Sequence, residues 1–184
     1  MADENNSNGG RRGFTLRGVE VQNAPDPVLS EEAKRQIEVE ARKYPPERRR
    51  SCIMSALRIA QDEKGWLSTD VIDSVCEYVG VPPIVGYEIA TFYNMYNIEP
   101  VGKYKLSICT NLPCALMGGI DAADYLKKKL GVGFGETTKD GKFTLVESEC
   151  LGACCEAPVY LLNEHKMCCK MSKEEIDRQL AELK

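Results

Sequence analysis

The sequence predicts an α/β (α+β) chain in which an N-terminal helical bundle precedes a smaller domain of mixed strands and helices. Two observations carry this prediction. Between residues 30 and 97 apolar residues recur at helical spacing, whereas from residue 103 onward they alternate with polar ones. Hydrophobic residues make up 43% of the 184 residues, which is enough to bury a core. We expect a disordered extension over 1–28, the bundle over 29–99 and the second domain over 100–184.

Helices account for the first half of this expectation. Ile53 belongs to one helix with apolar residues three and four positions apart. The next helix begins at a capping residue, Ser68 or Thr69, and ends at Gly80. Two prolines then open a further helix, which the pattern extends over 84–96.

In the second half of the chain the spacing of apolar residues changes from helical to strand-like. Apolar and polar residues alternate over 103–109, which predicts a strand with one buried face. A loop and a helix over 119–130 follow, and Asp140-Gly141 marks a hairpin or turn. A second hairpin pairs 159–162 with 166–170, and a capping box that begins at Ser172 opens the last helix. This order of strand, helix, strands and helix suits a small α/β sandwich of the thioredoxin type.

Charge and hydropathy exclude several classes of function. The net charge of −4 argues against a dedicated nucleic-acid binder, which usually carries a strongly basic surface. No apolar run is long enough to span a bilayer, so we expect no direct membrane insertion. The N-terminus lacks the apolar stretch of a secretory signal, and Asp3 and Glu4 are atypical of an organelle transit peptide.

Cysteine usage points to metal or thiol chemistry. The chain has nine cysteines, an odd number, and no visible export signal, so a pure disulfide framework is not expected. Cys109 and Cys114 form a C-x4-C pair, and Cys150 and Cys154 form a C-x3-C pair. Each pair lies where a predicted strand gives way to a loop.

Two kinds of metal site are compatible with these spacings. A [2Fe–2S] cluster needs four thiolates, two for each iron, which two short loops on neighbouring strands can supply. Structural zinc also uses paired cysteines, so spacing alone leaves zinc open. A dithiol oxidoreductase usually shows C-x-x-C, which is absent, and His165 alone cannot supply the two histidines of a Rieske centre.

The residues around the two pairs resemble a known family. The motifs CTNLPC at 109–114 and ECLGAC at 149–154 are similar to those of the thioredoxin-like [2Fe–2S] ferredoxin subunits of respiratory complex I, the NADH:quinone oxidoreductase. The likeness runs from about Ser30 to Lys184. Further blocks agree in order, namely GWLS at 65–68, EIATFY at 88–93, PVGKY at 100–104, GETT at 135–138 and DGKFTL at 140–145.

The resemblance implies a function and a ligand set. It implies that Cys109, Cys114, Cys150 and Cys154 hold one [2Fe–2S] cluster that exchanges single electrons with a flavin. FMN and NADH would be bound by a partner subunit, and the chain would contact this and other peripheral-arm subunits. The chain would then be an oxidoreductase subunit with no catalytic residues of its own, peripheral on the cytoplasmic side of a bacterial inner membrane.

The same resemblance leaves one alternative assembly open. Similar subunits serve NAD-linked hydrogenases and formate dehydrogenases, and this chain alone separates them poorly from complex I. A structural zinc module remains the alternative from a different class.

The remaining cysteines are not expected to be ligands. Cys155 departs from the family pattern, and we favour Cys154 as the ligand because C-x3-C matches the family. Adjacent residues of a strand face opposite sides of the sheet. We therefore expect one of Cys168 and Cys169 to lie in the core and the other at the surface. A regulatory disulfide between Cys155 and one of these two is a further hypothesis. Cys52 and Cys76 are expected in the core, and His165 in a solvated turn.

Overall fold

The computed structural model describes residues 29–183, so the predicted extension over 1–28 lies outside the described residues. The first half is helical. A 3-10 helix over Pro46–Cys52 precedes the second of four α-helices, which are α1 (Glu31–Ala41), α2 (Ile53–Lys64), α3 (Thr69–Val79) and α4 (Pro83–Phe92).

The second half is built on one sheet. Its elements are β1 (Tyr104–Cys109), α5 (Leu112–Leu116), α6 (Gly119–Leu130), β2 (Glu136–Thr137), β3 (Phe143–Ser148), β4 (Tyr160–Leu162), β5 (Lys166–Cys168) and α7 (Lys173–Glu182). The strand order is β2-β3-β1-β4-β5. β1 and β3 run parallel, and the other neighbouring pairs are antiparallel. This architecture confirms the predicted fold class.

Local signals in the sequence explain most of these boundaries. Ser68 caps α3 by accepting a hydrogen bond from the backbone of Val71, and Ser172 does the same for Glu175 at the start of α7. The turn at Asp140-Gly141 and the hairpin between β4 and β5 both form where they were predicted.

The helix predicted over 84–96 is shorter than expected. α4 ends at Phe92, and the following residue, Tyr93, is extended. The reason is a tertiary contact that the helical pattern does not reveal. Gln61 on α2 is buried, and its amide donates to Met95 O and accepts from Asn97 N, at 3.0 and 2.6 Å. These bonds replace those that a longer helix would make.

The prediction that β1 buries only one face is wrong. β1 is the central strand, so both of its faces are covered. Leu106 and Ile108 enter the core beneath the helices, while Lys105 and Ser107 are also buried, on the opposite face. A buried lysine requires partners, and Lys105 Nζ lies 2.9 Å from Glu164 Oε1 and 2.7 Å from Asn97 Oδ1.

Two large hydrophobic clusters correspond to the two halves of the chain. One gathers residues from Leu29 to Tyr96, and the other gathers residues from Leu106 to Ile176. The division at residue 100 stays a prediction, and we propose it because each half buries its own apolar residues. Within 29–183 no helix is both long enough and apolar enough to cross a membrane.

Candidate metal centre

The two cysteine pairs are brought together by the parallel strands β1 and β3. Cys109 ends β1 and lies in register with Ser148, the last residue of β3. Because parallel strands end at the same edge of a sheet, the loops that follow them start side by side. One loop carries Cys114 and the other carries Cys150 and Cys154.

The first pair is buried. Cys109 and Cys114 are each 1% exposed, and they share a small apolar cluster with Ala157 and Val159. Cys114 lies in α5, a five-residue helix where the sequence predicted only a loop. Asn111 caps this helix, since its side-chain oxygen accepts a hydrogen bond from Leu112 N at 2.9 Å. This capping residue is the signal that could have identified α5.

Gly119 is required by the close packing of α5 against α6. A Cβ atom at this position would lie 2.7 Å from Cys114 O. Only glycine therefore lets the start of α6 approach the backbone that carries Cys114.

The second pair is exposed. Cys150 and Cys154 lie on the loop after β3, with their sulfur atoms 3.4 Å apart. The backbone N–H of Gly152 donates to Cys150 Sγ at 3.4 Å. Gly152 has a φ of +78°, so a residue with a Cβ atom would be strained in this turn.

The surroundings shift the pKa values of the cysteine thiols in opposite directions. Burial, followed by the hydrogen bond with Cys109, raises the pKa of Cys114 to about 11. Cys154 is also close enough to contribute to this rise in pKa. The hydrogen bond from Gly152 N–H lowers the pKa of Cys150. The hydrogen bond between Cys154 and Cys150 raises the pKa of Cys154. A cation bound to these sulfurs would hold all four as thiolates.

Polar side chains fasten the two loops to each other. Thr110 Oγ1 donates to Glu147 Oε1 at 2.7 Å, and Asn111 Nδ2 donates to Glu149 Oε2 at 2.5 Å. The sequence alone did not predict roles for these four side chains. Their contacts join segments that lie almost forty positions apart, which no local pattern reveals.

The donor set is of the kind that a two-iron cluster uses. A [2Fe–2S] cluster takes two thiolates at each iron, and the chain offers two pairs of cysteines at neighbouring strand ends. Within residues 29–183, no three or more His, Cys, Asp or Glu side chains are arranged to hold a single metal ion. The Gly152 N–H aimed at Cys150 Sγ is the kind of hydrogen bond that tunes such a centre.

The core positions predicted among the other cysteines are confirmed, whereas the surface thiol and the solvated histidine of the prediction both make protein contacts. Cys52 and Cys76 are fully buried in the helical bundle. Cys155 is exposed beside Cys154, Cys168 is buried, and Cys169 is partly exposed. His165 is about half exposed but does have a partner, because its Nε2 lies 2.8 Å from Asp62 Oδ1 on α2.

The family assignment comes from the sequence as a whole. Residues 37–184 match the family model of the thioredoxin-like [2Fe-2S] ferredoxin. The chain belongs to this family. A thioredoxin-like [2Fe–2S] ferredoxin binds a [2Fe–2S] cluster, and the two cysteine pairs are consistent with that cofactor.

Relatives of this ferredoxin include subunits of NADH-quinone oxidoreductases. The E-type subunit of the NADH-quinone oxidoreductase of Rickettsia conorii is 48% identical over 124 residues, which cover 67% of this chain and 74% of the relative. NADH-quinone oxidoreductase subunit 2 of Thermus thermophilus is 40% identical over 142 residues, which cover 77% of this chain and 78% of the relative.

Among solved structures, the ferredoxin resembles an NAD+-reducing [NiFe]-hydrogenase in its H2-reduced state. The TM-score is 0.60 at 17% sequence identity, and the match covers 69% of this chain. It covers only 22% of the hydrogenase chain. At this identity the likeness establishes a shared fold.

Proposed function

We propose that the chain holds one [2Fe–2S] cluster on Cys109, Cys114, Cys150 and Cys154 and transfers single electrons as a subunit of NADH:quinone oxidoreductase. The meeting of the two cysteine pairs at one edge of the sheet carries this proposal. The Rickettsia relatives, which are NADH-quinone oxidoreductase subunits at 47–48% identity over two thirds of the chain, support the choice of complex.

The chain's own residues divide the work at this site. The cluster, when bound, supplies the one-electron chemistry. Cys109 and Cys114 would hold its inner side in an apolar environment that excludes water. Cys150 and Cys154 would hold its outer side, where exposure allows a redox partner to approach. The N–H of Gly152 would stabilise negative charge on Cys150 Sγ.

An apolar surface beside the first pair is suited to a partner subunit. Leu112, Leu116, Met117 and Ile120 are 69%, 78%, 63% and 46% exposed, and they lie on α5, the turn after it and the start of α6. Exposed apolar side chains grouped in this way mark protein contacts. The occupant would be the subunit that binds FMN and NADH, and the cluster would exchange electrons with that flavin. Other peripheral-arm subunits would complete the assembly on the cytoplasmic side of the bacterial inner membrane.

A second candidate is the corresponding subunit of an NAD-linked hydrogenase. The shared fold with the NAD+-reducing [NiFe]-hydrogenase is the observation in its favour. Both candidates use the same cluster and differ in the parent complex. Identification of the subunits that co-purify with a tagged chain from its native host would separate them.

The cluster itself is tested by spectroscopy together with metal analysis. We expect anaerobically purified, dithionite-reduced protein to give an S = 1/2 electron paramagnetic resonance spectrum, with about two irons and two sulfides per chain. Iron, zinc and sulfide are assayed on the same sample. Stoichiometric zinc with neither iron nor an S = 1/2 spectrum would contradict the proposal and favour a structural zinc module.

A further inference from the structure

Two cysteines near the proposed cluster, Cys155 and Cys169, are not among its four proposed ligands. All nine cysteines are free in the structure. Cys168, the last residue of β5, and Cys169, which follows it, face opposite sides of the sheet. Cys168 packs into the main core, whereas Cys169 packs on the opposite face against the small cluster that contains Cys109 and Cys114. Cys169 therefore faces the ligand loops, and Cys168 does not.

Backbone and side-chain contacts hold Cys155 beside the segment that carries Cys169. The next residue after Cys155 is Glu156, and the next after Cys169 is Lys170. Lys170 N donates to Glu156 O at 2.8 Å, and Lys170 Nζ lies 3.1 Å from Glu156 Oε2. These two contacts join the two segments at the position directly following each thiol.

The electrostatics of Lys170 agree with this placement. Its contact with Glu156 is the main cause of its raised pKa, and the charges of both Cys169 and Cys155 add to that rise. Both thiols therefore act electrostatically on the same ammonium group, in agreement with the backbone contact between the two segments.

We propose that Cys155 and Cys169 form a reversible disulfide when the chain meets a peroxide. The bond would tie the loop that carries Cys150 and Cys154 to the end of β5. This inference rests on the proposed function, because it requires that Cys155 is not a cluster ligand. Cys155 is exposed and so reacts first, while the partly exposed Cys169 completes the bond.

Hydrogen peroxide is the two-electron oxidant in this reaction. The sulfur of Cys155 attacks one peroxide oxygen, the O–O bond breaks, and a sulfenic acid and one water form. The sulfur of Cys169 then attacks the sulfur of Cys155. The S–S bond forms, the S–O bond breaks, and a second water leaves. The two thiols lose two electrons and two protons, and a dithiol reductant reverses the reaction.

Peptide mapping of the cluster-loaded full chain tests the proposal. The protein is treated anaerobically with stoichiometric hydrogen peroxide, alkylated without reductant and digested with trypsin. Cleavage after lysine places Cys155 in peptide 143–166 and Cys169 in peptide 167–170. We expect these peptides to be linked, two hydrogens lighter than the separate pair, and to separate on reduction.

Single variants assign the bond to its two cysteines. Cys155→Ala and Cys169→Ala are each expected to lose the linked peptides. Cys168→Ala is the matched control and is expected to retain them, because Cys168 faces the main core.

Three results would overturn the disulfide. They are full alkylation of Cys155 and Cys169 after peroxide, linkage that survives in Cys155→Ala or Cys169→Ala, and linkage that appears only after the cluster absorbance has bleached. Visible absorbance of the same samples separates this failure from that of the proposed function. Loss of absorbance in untreated Cys155→Ala would instead show that the ligand assignment is wrong.

Discussion

At the scale of single residues, Cys154 and Cys155 pose the sharpest question. Both are exposed and adjacent, so exposure does not distinguish ligand from bystander. Their neighbours do distinguish them. Cys154 Sγ lies 3.4 Å from Cys150 Sγ and influences Cys114, whereas Cys155 influences the ammonium of Lys170. The choice of Cys154 over Cys155 stays a prediction, and the short contact between Cys150 Sγ and Cys154 Sγ is the observation that supports it.

Alanine substitution separates the two roles. We expect Cys154→Ala to lose the cluster, so that iron falls from about two atoms per chain to nearly none. Its unfolding temperature should fall as well, because ligand bonds formed only in the folded state contribute to folding stability. Cys155→Ala is the matched control and should keep both iron and absorbance. The reverse outcome, with iron lost only in Cys155→Ala, would contradict the assignment.

Residue chemistry also limits what the sequence could predict. The four candidate ligands follow from spacing and motif, since each pair is local in the chain. The partners of buried polar residues do not follow, because Gln61 contacts Met95 and Lys105 contacts Glu164 across long separations. The difference in exposure between the two cysteine pairs was equally invisible, because it depends on which pair packs against Ala157 and Val159.

At the scale of elements, the junction between α5 and α6 positions the buried pair. α5 has only five residues, too few to be stable alone, and it depends on its cap and on contact with α6. Gly119 sets that contact because its missing side chain leaves room for Cys114 O. The site therefore depends on a helix-to-helix distance as well as on its thiols.

Adding one methyl group at Gly119 tests this dependence. Gly119→Ala should destabilise the protein by about 1–3 kcal/mol, the usual effect of overpacking. It should also alter the line shape of the reduced cluster, because α5 must move. Chemical unfolding and electron paramagnetic resonance measure the two effects.

Lys128→Ala serves as the control for helix propensity, because Lys128 is exposed on the same helix. It should leave both stability and spectrum near those of the parent protein. A Gly119→Ala variant that matched this control in both measurements would contradict the packing argument.

Elements were predicted well where signals are local. Caps and turn residues identified α3, α7 and both turns. The end of α4 and the existence of α5 were missed for opposite reasons. The buried Gln61 ends α4 early through a distant contact, and α5 is too short to show a period.

At the scale of the whole molecule, a buried polar cluster joins the helical bundle to the sheet. Lys105 on β1 contacts both Asn97, which follows α4, and Glu164 in the β4–β5 turn. The side chains of Lys105 and Glu164 are 8% and 18% exposed, so solvent screens this pair only weakly.

Removing the charge of one partner in this pair should lower the free energy of unfolding more than removing the charges of both partners. Glu164→Gln leaves the buried ammonium of Lys105 without its carboxylate partner. This variant should destabilise the protein by about 3 kcal/mol. The double variant Lys105→Met/Glu164→Gln should lie within about 1 kcal/mol of the parent protein, because no buried charge remains. Urea unfolding of all three proteins measures these differences.

Glu99→Gln removes an exposed carboxylate nearby and is the control. It should change stability by less than about 0.5 kcal/mol. If the double variant were as unstable as Glu164→Gln, the pair would not be the cause.

The register of β1 with β3 has a consequence for how the protein matures. The two cysteine pairs come together only after Cys109 has aligned with Ser148, a contact between distant parts of the chain. The strands that make this contact bury Leu106, Ile108 and Leu145 completely, in a core that contains none of the four ligands. If these four cysteines are the ligands, a nascent chain would offer an assembly factor no complete binding site. Cluster delivery would then follow the pairing of β1 with β3, and newly made apoprotein would receive iron and sulfide as an already shaped acceptor.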